Sequence, residues 1–259
     1  MIELKQGLDI VSDIHSCYVE LFNLVVKLGY ETKFDEARFD FKWFHPEGRV
    51  LVFVGDYMDR GPYPLETFDF VRRMMEDGIA LGVQGNHCNK LKRYLTRVTT
   101  GKSVSGMTTG DGLQGTIDAI KEVGLEWEVL AWLNTLPLSI QVGSVLVTHG
   151  AWKDNVTENK LTDLNLYGET VVVKDVNDPN GYYHERVDRW KYTYNGSLSH
   201  IVVGHTIYDY PQIIKSKSGC KVVSIDTGAF AGGKLTAYRL NPNGSEEFVH
   251  ERAREAYWP

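Results

Sequence analysis

The sequence predicts an α/β or α+β fold in which helices cover a largely buried sheet system. Three observations carry this. Short apolar, β-branched runs recur along the 259 residues. Segments with helical spacing separate several of these runs in the first half, and the second half is richer in strands. No run approaches the ~18–20 apolar residues that a membrane helix needs.

The first element is a strand at Leu8 to Val11. Val19, Leu21, Phe22, Leu24, Val25 and Leu28 then recur at helical spacing. Phe34 to Phe44 alternates Phe39, Phe41 and Trp43 with polar residues, which reads as a short strand or hairpin. Val50 to Val54 is the next buried strand. Pro62 and Pro64 open a helix continued by Phe68, Val71, Met74 and Met75. Ile79 to Val83 is a strand, and the Gly, Thr and Ser residues of Thr99 to Gly112 make a loop. Leu113 to Val123 and Glu126 to Leu136 follow as helices, the second stopped by Pro137. Val145 to Thr148, Ile201 to Val203 and Val222 to Ile225 are strands, and Asp175 to Tyr183 reads as a loop. With no repeat, low-complexity tract or Pro/Ser linker, residues 1–259 are expected to form one domain.

Apolar residues at 42% and charged residues at 24% exclude a disordered or fibrous chain. A net charge of −6 argues against long duplex nucleic acid as a partner. The start of the chain has no extended apolar core of a signal peptide. Three cysteines make no disulfide framework and suit a reducing compartment. A cytoplasmic location without membrane attachment is therefore expected, which becomes host cytoplasm if the source is viral. The oligomeric state is not legible.

The informative fact is what ends each strand. The six apolar runs end in Ser12-Asp13-Ile14-His15, Gly55-Asp56-Tyr57-Met58-Asp59-Arg60-Gly61, Gln84-Gly85-Asn86-His87, Thr148-His149-Gly150, Gly204-His205-Thr206 and Asp226-Thr227-Gly228. Ligands collect at the carboxyl ends of strands in open α/β sheets, so these ends are expected to converge. Imidazole, carboxylate and carboxamide donors suit Mn²⁺, Fe or Zn²⁺. Asp13 and His15, two apart on extended backbone, point to one side and can chelate one ion. Six ligands on one ion leave no open position. Shared between two ions about 3.5–4 Å apart, with one bridging carboxylate, they form a clamp for in-line attack on phosphorus.

As a set these motifs resemble the calcineurin-like metallophosphoesterases, in their protein Ser/Thr phosphatase superfamily branch. Ser12 to Tyr18, His45-Pro46-Glu47-Gly48-Arg49, Gly85 to Leu91 and Ile225 to Gly228 are most similar to two groups. These are the bacterial and viral bis(5′-nucleosyl)-tetraphosphatase-like phosphatases and the phosphatase module of bacterial polynucleotide kinase-phosphatase. The resemblance covers residues 8–240 and leaves 241–259 as a tail. It implies two packed mixed β-sheets flanked by helices, with a dimetal site at strand ends. It also implies a metal-dependent phosphatase in which metal-bound hydroxide attacks a phosphate monoester. Asp13 and His15 would hold one ion, Asp56 would bridge, and Asn86, His149 and His205 would hold the second. Mn²⁺ is the expected metal, with Fe, Zn²⁺ or Ni²⁺ as alternatives. Arg60 and Asn86 would contact the phosphate, His87 would protonate the leaving oxygen, Asp59 would orient His87, and Asp226 would support the site. Phosphoprotein is the first substrate class. Symmetrical dinucleoside-tetraphosphate hydrolysis and dephosphorylation of nucleic-acid ends are the alternatives.

Three departures from that pattern stand out. Ser16 replaces the usual Gly and is expected to narrow the site or disturb the backbone. Tyr57-Met58 is expected to line the cleft differently. A second phosphate-binding arginine stays open between Arg186 and Arg189. Gly101-Lys102-Ser103 echoes a phosphate loop, but Thr96 stands where its first Gly belongs. His45, His184, His200 and His250 read as surface or capping residues, and Cys88 lacks the partners of a nucleophile. The basic run Lys90, Lys92, Arg93, Arg97 and Lys102 reads first as a solvated helix face. Its alternative is a rim attracting polyanions.

Overall fold

The computed structural model describes residues 6–110, 112–174 and 181–258. Along the chain come β1 (Leu8–Val11), α1 (Tyr18–Lys27), β2 (Glu31–Asp35), β3 (Asp40–Phe44), β4 (Val50–Phe53), α2 (Pro64–Glu76) and β5 (Ala80–Gly82). Then follow α3 (Asn86–Thr99), α4 (Leu113–Val123), α5 (Glu126–Thr135), β6 (Ser139–Val142), β7 (Val145–Thr148), α6 (Glu158–Tyr167) and β8 (Thr170–Lys174). The last are β9 (Tyr182–Arg186), α7 (Arg189–Thr193), β10 (His200–Val203), β11 (Gln212–Lys215), β12 (Lys221–Ser224), β13 (Lys234–Leu240) and β14 (Glu246–Arg252).

Two five-stranded mixed sheets result, in the orders β14-β13-β1-β4-β5 and β11-β12-β10-β7-β6. Each has a parallel trio, β1-β4-β5 or β12-β10-β7, with antiparallel strands beside it. β2–β3 and β8–β9 are separate hairpins. Side-chain alternation explains why the parallel runs are apolar throughout. Leu8, Ile10, Val52 and Val54 of the first sheet meet Val145, Val147, Val202 and Val223 of the second in a dry inter-sheet core. The opposite faces pack on helices: Val11, Leu51 and Phe53 under α1 to α5, and Leu146, Ile201, Val203 and Val222 with Trp190 and Tyr194 of the α7 region.

The expected strands and helices form within a residue or two at most ends. The 34–44 alternation is the β2–β3 hairpin. α3 carries a buried stripe of Cys88, Leu91, Tyr94 and Leu95. One loop expectation and one surface expectation need adjusting. Residues 175–180 lie outside the described residues, and Tyr182 and Tyr183 belong to β9 rather than to a loop. His200 is not a surface residue: it is buried at the start of β10, where burial pushes its imidazole down to about 4. Residues beyond 240 include β14, which pairs with all of β13. Among the described residues no helix is long and apolar enough to cross a membrane.

One polar cluster inside the first sheet explains the Gly48-Arg49 motif. Asp9, fully buried on β1, accepts two bonds of 2.9 Å from Arg49, one of 2.8 Å from Arg239 Nε and one of 3.2 Å from the Tyr30 hydroxyl. Burial alone would raise the Asp9 carboxyl, but the two guanidinium groups outweigh it and hold it below its usual range. Its stabilisation is therefore complete above the unfolded value of about 3.9 and is lost as pH falls through the lower folded value. Asp9→Ala strands Arg49 as a buried, unpaired charge and is expected to cost about 3–5 kcal/mol. Urea unfolding at neutral pH checks this, and an unchanged midpoint would remove the cluster from the account of stability.

Candidate active site

The strand ends of both parallel trios meet at one edge of the sandwich. The chain turns sharply there. His15, Ser16, Asp56, Asp59, Arg60 and His205 have φ of 47°, 58°, 43°, 79°, 67° and 67°. Non-glycine residues seldom adopt such values, and surrounding structure must hold them. Backbone bonds between the β1 and β4 turns do so for the first five: His15 N donates to Asp56 O at 2.8 Å, Ser16 N to Tyr57 O at 2.8 Å, and Gly61 N to His15 O at 3.0 Å. Gly85 must be glycine, because a Cβ there would fall 2.1 Å from Asp56 Oδ1.

Asp56 lies at the centre. Its Oδ2 is 3.2 Å from His149 Nε2 and 3.8 Å from His15 Nε2, and its Oδ1 accepts the His87 N–H at 2.9 Å. Two clusters of potential metal donors share it, His15–Asp56–His87 and Asp56–His149–His205. Asn86 Oδ1 is 2.9 Å from His149 Nε2. His149 Nδ1 lies 3.0 Å from the Val54 carbonyl, a contact that fixes the proton on Nδ1 and leaves Nε2 facing the site. His87 Nδ1 is 2.9 Å from Asp59 Oδ2, and the Asp59 N–H donates to Thr116 Oγ1 at 3.1 Å. Arg60 places its guanidinium 4.3 Å from the Phe230 ring centroid.

The electrostatics suit cations. Asp13, Asp56 and Asp226 are all buried. Burial, then the neighbouring Asp226, pushes Asp13 well up. Burial likewise pushes Asp226 up, to about 6. Burial would also raise Asp56, but the His149 imidazole, then that of His87, outweighs it and holds it well below its usual range. Burial would lower His149, but Asp56 and Asp13 outweigh it, and its imidazole is raised to about 9. Burial drives His15 and His205 well down, so both are neutral and keep a lone pair for coordination. His205 Nε2 is buried without a protein hydrogen-bond partner. Oxygen and imidazole donors with surplus buried carboxylate fit hard-to-borderline divalent cations. Cys88 supplies no thiolate, since burial pushes its thiol up.

A cleft of about 590 Å³ brings Asp13, His15, Asp56, Arg60, Asn86, His87, His205 and Asp226 to its surface. His149 and Asp59 lie beneath it, buried. Asp13 stands outside both donor clusters: its carboxylate accepts the His205 N–H at 3.1 Å and lies 3.9 Å from His149 Nδ1. Arg186 lines the cleft, and its Nη1 donates to the His205 carbonyl at 3.3 Å; Arg189 does not line it. Tyr57 and Met58 do not line it either. They turn into the core, where the Tyr57 hydroxyl donates to Val83 O at 2.9 Å. Ser16 is buried off the cleft surface and takes up the left-handed turn. The basic run is only partly a free face, since Lys90 donates to Gly110 O and Arg97 to Ser103 O, tying α3 to the loop after it. Sequence reasoning missed Phe230 and Trp258, which line the cleft. Phe230 lies two residues after the Asp226-Thr227-Gly228 turn, and that proximity was the available signal. Trp258 carries none.

Comparison with known proteins places the chain in a family and a fold. The family profile described as calcineurin-like phosphoesterase matches residues 8–209. The chain is 37% identical over 243 residues to an asymmetrical bis(5′-nucleosyl)-tetraphosphatase PrpE of Halalkalibacterium halodurans, covering 90% of this chain and 89% of that one. It is 34% identical to the Bacillus subtilis protein of the same name, covering 90% of each. A protein serine/threonine phosphatase of Saccharomyces cerevisiae shares the fold, with a TM-score of 0.57, 13% identity, and 98% of this chain and 84% of that one covered.

Proposed function

Because the chain belongs to the calcineurin-like phosphoesterases, hydrolases of phosphoester bonds that use divalent metal ions, we propose that it cleaves dinucleoside tetraphosphates asymmetrically, into a nucleoside mono- and a triphosphate. The two donor clusters sharing Asp56 beside Arg60 carry the hydrolytic reading. The names of the PrpE relatives support the substrate class. They favour it over the phosphoprotein placed first from sequence, and they favour asymmetrical over symmetrical cleavage. Fold likeness to a serine/threonine phosphatase at 13% identity carries no substrate argument.

In this reading Asp13, His15 and Asp56 would hold one ion, and Asp56, Asn86, His149 and His205 would hold a second, with Mn²⁺ the best match to the mixed donors. Divalent cations supply charge that neutralises phosphate oxygens and lowers the pKa of water. The protein's own groups do the rest. Arg60, backed by Phe230, offers a planar donor pair to the phosphate oxygens, and Arg186, also lining the cleft, offers a second cation. His87, oriented by Asp59, delivers a proton to the leaving oxygen. Asp226 accepts the Gly228 N–H at 3.0 Å and steadies the turn beside Asp13. A cytoplasmic nucleotide substrate fits a chain with three free cysteines.

Dialysis against chelator is expected to abolish turnover of diadenosine tetraphosphate, and Mn²⁺ to restore it. Anion-exchange analysis of products should show AMP and ATP in equal amounts. Two molecules of ADP would reject asymmetrical cleavage, and full activity in rigorously metal-free protein would reject the metal-dependent site.

A further inference from the structure

A second groove, of about 510 Å³, adjoins the active cleft, and Arg60 and Trp258 line both. Its floor is the turn into α4, with Gly110, Gly112, Gln114 and Gly115. Gly112 sits at φ +80°, and a Cβ there would fall 2.3 Å from Arg60 N. The groove floor is therefore packed directly on the backbone of the phosphate-facing arginine.

Trp258 stands where the two spaces join. Its side chain is 38% exposed, yet its backbone is fixed. Trp258 N and Tyr257 N both donate to Phe230 O, at 3.1 and 2.8 Å. Ala256 bridges Ala231, and the Tyr257 hydroxyl donates to Glu20 Oε1 at 2.7 Å. The same Phe230 supports the Arg60 guanidinium. One residue thus couples the arginine to a large, flat apolar surface at the mouth of the cleft. A partly exposed indole on a backbone held in place is a good platform for a planar ring. A nucleobase offers such a ring at a short reach from its phosphates, whereas a phosphoserine does not.

We propose that Trp258 determines specificity by stacking a nucleobase of the substrate while Arg60 holds the reacting phosphate, and that the adjoining groove receives the rest of the nucleotide. This rests on the dinucleotide reading above.

Steady-state kinetics of the full chain with Mn²⁺ test it, using diadenosine tetraphosphate and inorganic tripolyphosphate, which has no base. Trp258→Ala is expected to raise KM for the dinucleotide about 10-fold, the scale of losing one base–aromatic stack. KM for tripolyphosphate should not move, and Trp258→Phe should keep most of the dinucleotide affinity. A Trp258→Ala protein that keeps its preference for the dinucleotide overturns the stacking role and leaves the dinucleotide reading intact. An equal rise in KM for both substrates also overturns it, as a general loss of cleft shape. A wild-type protein that turns over p-nitrophenyl phosphate but not diadenosine tetraphosphate overturns both.

Discussion

Asp56→Asn is expected to lower turnover by about 10²–10³-fold or more, the scale of removing one preorganised electrostatic group, while the fold survives. The substitution keeps the side chain's shape, and the amide oxygen can still accept the His87 N–H that Asp56 Oδ1 accepts at 2.9 Å. What disappears is the negative charge common to both donor clusters. His149, 3.2 Å from Asp56 Oδ2, loses the nearest carboxylate. Both cation positions should weaken together, because one carboxylate serves each. Elemental analysis should find fewer than two ions per chain, alongside an unchanged circular dichroism spectrum. Two tightly held ions and a normal rate would remove Asp56 from the bridging role.

The legible part of the molecule was the part ruled by local patterning. Strands buried on both faces carry continuous apolar runs, so β1, β4, β7, β10 and β12 announce themselves. β13 does not: Thr236 is buried beside the Thr227 hydroxyl and Arg239 reaches back to Asp9, so polar residues interrupt its pattern for tertiary reasons. β6 and β11 are edge strands with mixed exposure and carry little periodic signal. In α3 the stripe of Leu91, Tyr94 and Leu95 is diluted by the basic residues around it.

The site was legible for a different reason. Asp, His and Asn beside Gly at six strand ends are poor choices for strand or helix, and the backbone shows why they are there. Six of the turn residues hold φ values that cost stability locally; bonds between the β1 and β4 turns hold five of them, and the Asp13 carboxylate holds His205 by its N–H. Sequence departs from its own local rules where chemistry is placed. Arg186 was narrowed only to a pair with Arg189, since which of two nearby arginines reaches the cleft depends on where β9 ends against the His205 turn. Trp258 was invisible because its position depends on a bridge to Ala231, 25 residues earlier in the chain as Ala256 pairs with it.

His87→Ala is expected to slow hydrolysis in proportion to the leaving group's need for a proton. Asp59 holds His87 by Nδ1 at 2.9 Å, and the Asp59 N–H is held by Thr116. That leaves Nε2 as the nitrogen available to the cleft that His87 lines. A departing alkoxide, as from phosphoserine, is strongly basic, so losing the proton donor should cost about 10²–10⁴-fold. p-Nitrophenolate departs with little help, so its loss should be much smaller. Asp59→Asn should move both rates in the same direction by less, because the imidazole remains but its orienting partner loses its charge. The comparison is internal, since misfolding or loss of metal would lower both rates alike. Equal slowing of the two leaving groups in His87→Ala would therefore reassign His87 from proton donor to a phosphate-positioning group or to a member of the His15–Asp56 donor cluster.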